Sequence, residues 1–475
     1  MTASKENLPT ILLTSASFIF LLFFYLIINY PPNDLKSFFN YNTSLFSILI
    51  AAHIAFCIPI IISFYYSRKS KIIFAGFSFA TLLALILLVS TNGRAGWLGL
   101  IIAIGFIIYT KIKRSKHKKI FICCSLFCTV IFASFLYWYK VDSSNGRLLI
   151  YKVSYKIFVN NPVFGVGFGR FKATYNNYQA NYFTTNSIDS KEALLADNTF
   201  YAFNEYYQFL IEFGIVGFIV LLLLGFLFFK YVWCSIKEPN PLTIAAKASL
   251  FSILVSALFS YPFHSIPICI LALLCFASLV FIKLNELQRQ NNATNLLLLS
   301  KIVSIAAVLI TGLYFCLKIN YAYNSSNASE FSRSGFRGKA IEKYKELSTS
   351  IFNDGNDLFL YAKELYYSNK LSEAKTILDK AKTEIVSSEL YKLSAAVETE
   401  LKNFKQAETE LKTVVYMVPN RMQSRMNLLN FYVEQRDSLN IRYWAKSIIN
   451  MPVKIESETT KALQNRAIQI LAHEE

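Results

Sequence analysis

Asn198-Thr-Phe-Tyr-Ala-Phe-Asn-Glu-Tyr-Tyr-Gln-Phe-Leu-Ile-Glu-Phe-Gly214 leads straight into a long apolar run. The segment opens polar and ends apolar, and Glu205, Gln208 and Glu212 enter the run at helical spacing. With a helix beginning near Asp197, a 3.6-residue period puts Tyr201, Glu205, Gln208 and Glu212 on one stripe. Lipid cannot satisfy such groups, so a membrane helix that carries them needs an interior cavity to face.

Working outward, this stretch closes a polar segment running from about Val141 to Gly217, with Asn145-Gly146-Arg147 near its start. Apolar runs flank it. Stretches of spanning length, about 17 to 25 residues, occur at roughly 9–28, 44–66, 72–89, 97–110, 120–139, 206–229, 243–259, 267–283 and 301–318. In 475 residues, 54% hydrophobic with 42 Phe and 29 Tyr, that pattern rules out one soluble domain. It predicts an all-α polytopic membrane protein of about nine spans over residues 1–318, with a large external loop over 140–205.

Charge orients the spans. Residues 1–330 hold 26 Lys/Arg against 11 Asp/Glu, so most of the +18 formal charge lies in the membrane half. Arg68-Lys69-Ser70-Lys71 and the basic run Lys111–Lys119 are separated by two spans, and both fall on the cytoplasmic side. The N-terminus is then cytoplasmic. Ser90–Gly96, Val141–Asn204, Ser260–Ser265 and everything after the ninth span face outward. Met1 leads into the first apolar run without a small-residue cleavage site, which reads as a retained helix.

Beyond Ile319 the pattern becomes that of water-soluble amphipathic helices. Phe336-Arg-Gly-Lys-Ala340, Lys370-Leu-Ser-Glu-Ala374 and Asn403-Phe-Lys-Gln-Ala407 set small alanines 34 and 33 residues apart, and Pro419 and Pro452 are again 33 apart. That period is the signature of tetratricopeptide-like helical hairpins. About three of them and a terminal helix near Ser457–Ala472 are predicted for residues 331–475, as a docking surface for a protein partner.

The eight cysteines (57, 123, 124, 128, 234, 269, 275, 316) lie in or beside apolar runs and read as buried thiols, without the spacing of a disulfide framework or zinc site. The four histidines are scattered. No metal or other cofactor is expected, and no nucleic-acid partner. Gly165-Val-Gly-Phe-Gly169 follows no strand of a βαβ unit, so its glycines read as a turn and not a nucleotide cradle. Without paired repeats of broken helices, a transporter is disfavoured.

The charged groups suggest phosphate chemistry. Arg94 and Arg147 both face outward and adjoin small residues; two permanent guanidinium forks suit the paired oxygens of a pyrophosphate. Interfacial arginines against lipid headgroups are the plainer alternative. Arg170 and Lys172 add positive charge. Glu205 and Glu212, acids at the mouth of a span, have the character of a general base, or of structural partners for the arginines. His264, after Tyr261-Pro262, lies on the outer side.

Taken together, Ser90-Thr-Asn-Gly-Arg94-Ala, Asn145-Gly-Arg147, Asn161-Pro-Val-Phe-Gly-Val-Gly-Phe-Gly-Arg-Phe171, Asn204-Glu-Tyr-Tyr-Gln208-Phe-Leu-Ile-Glu212-Phe-Gly214-Ile-Val-Gly217 and Tyr261-Pro262 resemble the O-antigen ligase superfamily in order and spacing. The resemblance covers roughly residues 85–280, and the helical tail looks like one many members carry. It implies a metal-independent glycosyltransferase of the bacterial inner membrane, working at its periplasmic face, with the C-terminal domain periplasmic. An undecaprenyl-pyrophosphate-linked glycan is the implied donor. A lipid A core, a glycan or a protein is the acceptor, for O-antigen ligase, repeat-unit polymerase and protein O-oligosaccharyltransferase respectively. Arg94, Arg147 and Arg170 would hold the pyrophosphate, and Asn204, Gln208 and Tyr201 would support the site. The histidine the family usually carries before Asn204 is Phe203 here, which leaves the base among Glu205, Glu212 and His264, in that order. The competing class is a non-enzymatic, membrane-anchored assembly factor working through its repeats. Removing residues 331–475 should leave an enzyme some transfer and such a factor none.

Overall fold

The computed structural model describes residues 32–474 apart from 68–70, 92, 140, 237–239, 291–293 and 454–455. The expected first span and most of the first basic loop lie outside those residues. Among the described residues there are eighteen α-helices and no strand, as the composition predicts. In chain order they are α1 (Pro32–Ser67), α2 (Lys71–Ser90), α3 (Arg94–Lys111), α4 (Ser115–Tyr139), α5 (Val141–Asn160), α6 (Phe171–Thr185), α7 (Glu205–Phe228), α8 (Pro241–Ser256), α9 (Ile266–Gln290) and α10 (Thr294–Arg333). Then follow α11 (Arg337–Leu347), α12 (Gly355–Tyr367), α13 (Leu371–Glu384), α14 (Ser388–Glu400), α15 (Phe404–Met417), α16 (Met422–Gln435), α17 (Ser438–Ile449) and α18 (Glu458–Glu474).

Two compact units emerge. The first gathers residues up to 140, 203–208 and 218–298; the second gathers 141–202, 209–217 and 299–475.

In the first unit α1, α3 and α8 pack on one another, α2 adds to α1, and α9 to α8. Small residues let the backbones meet. A Cβ on Gly99 would lie 2.7 Å from the Ser252 carbonyl oxygen, and Ser256 Oγ donates to the Ala95 carbonyl at 3.0 Å. Close approach through Gly and Ser is how helices associate where lipid removes the hydrophobic drive. Four stretches among the described residues are long and apolar enough to cross a membrane: Leu45–Ser63, Arg94–Lys111, Glu205–Trp233 and Ile266–Leu284. Pro241–Ser256 is apolar but shorter. The expected runs 72–89, 120–139 and 301–318 fall within α2, α4 and α10.

The cysteines correct one expectation. Cys57 and Cys275 are buried, but Cys123, Cys124, Cys128, Cys234 and Cys316 are exposed. Their apolar runs turn these positions outward, so sequence hydrophobicity there does not mark a protein core.

In the second unit the hairpins are regular. Consecutive helices from α11 to α18 pack against each other. Gly335, Asn369, Lys402 and Arg436, spaced 34, 33 and 34 residues apart, all take positive φ (79°, 58°, 63° and 55°). Each sits just ahead of the first helix of a hairpin, so the same left-handed turn recurs at the same phase. Ala340, Ala374 and Ala407 are fully buried where the helices touch. The array holds a fourth hairpin, α17–α18, in place of a lone terminal helix. Ile441 occupies the alanine position there, itself buried, which is why the alanine period hid it.

Candidate functional site

In the first unit Asn204 caps α7, its Oδ1 accepting the Tyr207 amide at 3.0 Å. The Glu205 amide donates to the Ala257 carbonyl at 2.9 Å, tying the start of α7 to the end of α8. The carboxylate of Glu205 is nearly buried, with 11% of its side chain exposed. Its Oε1 accepts the Phe263 amide at 2.8 Å and lies 3.4 Å from His264 Nδ1. A carboxylate on Nδ1 fixes the tautomer and leaves Nε2 as the proton-accepting nitrogen. Phe203, at φ 53°, sets its ring edge-on to Tyr261, with centroids 5.4 Å apart, and Tyr261 is edge-on to His264. Gln208 is buried, and Arg94 is the first residue of α3.

In the second unit the glycine turn does different work from a phosphate cradle. Gly165, Gly167 and Gly169 all have positive φ, as does Gly214 inside α7 (65°). Gly214 breaks the helical ladder, and the turn takes up the groups so released. Val166 and Gly167 donate to the Ile211 and Glu212 carbonyls at 3.1 and 2.9 Å, while Ile215 and Val216 donate to those of Pro162 and Val163 at 2.9 and 3.2 Å. A break inside an apolar helix is tolerated when neighbouring backbone re-satisfies it in this way. The Gly169 and Phe171 amides then donate to the Glu212 carboxylate at 3.0 and 3.4 Å, with Glu212 buried.

One stripe of the sequence reading does not survive. The helix begins at Glu205, not near Asp197, because Asn204 caps it in extended conformation and Phe203 is left-handed. Tyr201 therefore precedes the helix, and the φ of Gly214 ends the regular run just past Glu212. Arg147 sits inside α5, where its charge partly offsets the upward push of burial on the Tyr151 hydroxyl. Arg170 donates to the Thr383 carbonyl at 2.9 Å, in the last turn of α13, where a cation suits the helix dipole. Glu205 and His264 are thus brought together, and Glu212 is held by backbone amides. The amide donors to Glu212 and the Phe203–Tyr261 contact were not legible beforehand; the odd-numbered glycines were the one signal for the first, and the second had none.

These features define a polytopic helical membrane protein with a carboxylate–imidazole pair at the start of a span. Residues 79–222 match the family model described as O-Antigen ligase, a match that supports the O-antigen ligase superfamily. The match takes in Arg94, Arg147, Glu205 and Glu212; His264 lies beyond it. No curated protein matches the chain. The match supports an enzyme of the O-antigen ligase and polymerase type, acting on glycan substrates in a membrane.

Proposed function

We propose that the protein moves a glycan from an undecaprenyl-pyrophosphate carrier to an acceptor hydroxyl at the outer face of the bacterial inner membrane. The observation that carries this reading is the O-Antigen ligase match over 79–222, which holds both arginines and both acids singled out in the sequence. The bond between the sugar's anomeric carbon and the pyrophosphate oxygen breaks, and a bond to the acceptor oxygen forms. Arg94 and Arg147 neutralise the charge that grows on the departing pyrophosphate, the largest source of rate in such a step. His264, oriented by Glu205, takes the acceptor's proton. Their 3.4 Å contact supports an oriented imidazole over a carboxylate acting alone, and it gives this chain a histidine despite Phe203. Glu212, already accepting two backbone amides, is assigned to shaping the turn. Ligase, polymerase and protein ligase differ only in the acceptor.

The test is a deletion strain complemented with Arg147→Ala. Loss of surface-polysaccharide banding at wild-type protein level is expected; unchanged banding would sink the assignment.

A further inference from the structure

Residues 171–202 cross the helical hairpins inside the second unit. Helix α6 packs on α13 and α15, the first helices of the second and third hairpins. Gln179 Nε2 donates to the Met417 carbonyl at 2.6 Å, and Asn176 Nδ2 to that of Val386 at 2.6 Å. The Val386 amide returns a bond to the Lys172 carbonyl at 3.0 Å. Ala180 packs with Val386, Met417 and Val418. Farther along, Arg425, with 0% exposure, reaches Asp189 Oδ1 at 2.8 Å and the Ile188 carbonyl at 3.1 Å. Arg421 holds Asp197 at 2.8 Å and also pairs with Glu389.

A buried guanidinium costs several kcal/mol to desolvate and is kept only where its partner is fixed. Here its carboxylate partner, Asp189, comes from the chain's own segment, while Ser447 and the Pro419 carbonyl of the hairpins accept further hydrogen bonds from it. Backbone carbonyls at the ends of α13 and α15, the groups a docked peptide would use, are likewise taken.

Phe171 connects the two ends of this arrangement. It is the fully buried first residue of α6, and its amide donates to Glu212. We propose that the helical hairpins take residues 171–202 of the same chain as their ligand, and that Arg421 and Arg425 are positioning residues holding the glycine turn and Glu212 for transfer. The hairpin face is then a mount for the external segment and not a recruiting surface. The part about transfer rests on the function proposed above. It also reverses one expectation: an enzyme lacking 331–475 loses transfer altogether.

The experiment uses the purified full-length protein with Arg421→Asp, Asp197→Arg and the double swap; Arg421 is half-buried and Asp197 exposed. Amide hydrogen exchange across 171–202 and kcat and KM for lipid-linked donor are measured. Each single reversal should speed exchange of the segment about fivefold, in line with an exposed pair, and lower kcat, and the swap should recover both in part, since Glu389 still loses its cation. Arg425→Ala should loosen the segment more, with Arg425→Lys recovering only part. Wild-type exchange rates in the single reversals, or no recovery in the swap, would overturn the proposal. So would a loosened segment with unchanged kcat. Should the wild-type protein transfer no glycan, the function fails while the exchange measurement still decides whether the hairpins hold the segment.

Discussion

Oε1 of Glu205 stands 3.4 Å from Nδ1 of His264, 59 residues further along the chain, and the same oxygen accepts the Phe263 amide. Both bonds come from one short 3-10 turn, Pro262–His264, so the imidazole and the start of α7 are fixed together. This arrangement gives the pair one role between them. His264→Gln and Glu205→Gln should each lower kcat/KM for transfer by about 10²–10⁴, and the double variant should be no worse than the poorer single one. Steady-state assays on the purified variants check this. Additive losses would mean the two side chains act separately.

The arginine assignment makes a sharper claim about geometry. If Arg147 grips a pyrophosphate as a fork, Arg147→Lys keeps the charge and loses the paired hydrogen bonds. Transfer should fall by about 10²–10³ in both Arg147→Lys and Arg147→Ala, while donor-independent properties such as thermal midpoint stay put. Full activity in the lysine variant would reduce the role of Arg147 to general charge.

Backbone crossing at Gly214 is a question of space. A Cβ there would fall 2.2 Å from the Val163 carbonyl oxygen, and φ is 65°. The left-handed conformation alone costs about 1–3 kcal/mol, before any displacement of the turn. Gly214→Ala should therefore lower the thermal midpoint and the yield of folded protein in membranes. Gly225→Ala, in the same helix with open space around it, should be neutral or slightly stabilising. Equal behaviour of the two would remove the crossing from the account.

Much of this was legible in the sequence, and the failures have physical causes. Apolar runs of spanning length gave the membrane helices, because length and composition are set by lipid. The alanine period gave three hairpins because small residues mark where helices touch; Ile441 shows that burial at the same phase does not require alanine. Glu205 and His264 were each singled out, yet their pairing depends on how the end of α8 meets the start of α7, which no local pattern encodes. The stripe through Tyr201 failed for a local reason. Asn204, a strong capping residue, competes with helix continuation, and the periodicity argument ran straight through it.

The last prediction concerns acid. Tyr182 Oη donates to Glu192 Oε2 at 2.5 Å, and Lys152 Nζ is 3.0 Å from Oε1. The Tyr182 hydrogen bond, then that from Lys152, holds the Glu192 carboxyl below its ordinary 4.5, against an opposing contribution from burial. A carboxyl depressed in the folded state contributes stability that is complete above the unfolded value and is lost as pH falls through the folded one. With 43% of the Glu192 side chain exposed, solvent screening keeps the contribution within about 1 kcal/mol. The wild-type protein should therefore melt above Glu192→Gln at pH 7, and the gap between them should close on acidification below 4.5. A gap that stays constant from pH 7 down to strongly acidic solution would mean that the variant loses packing around Tyr182, and that the charge of Glu192 contributes nothing.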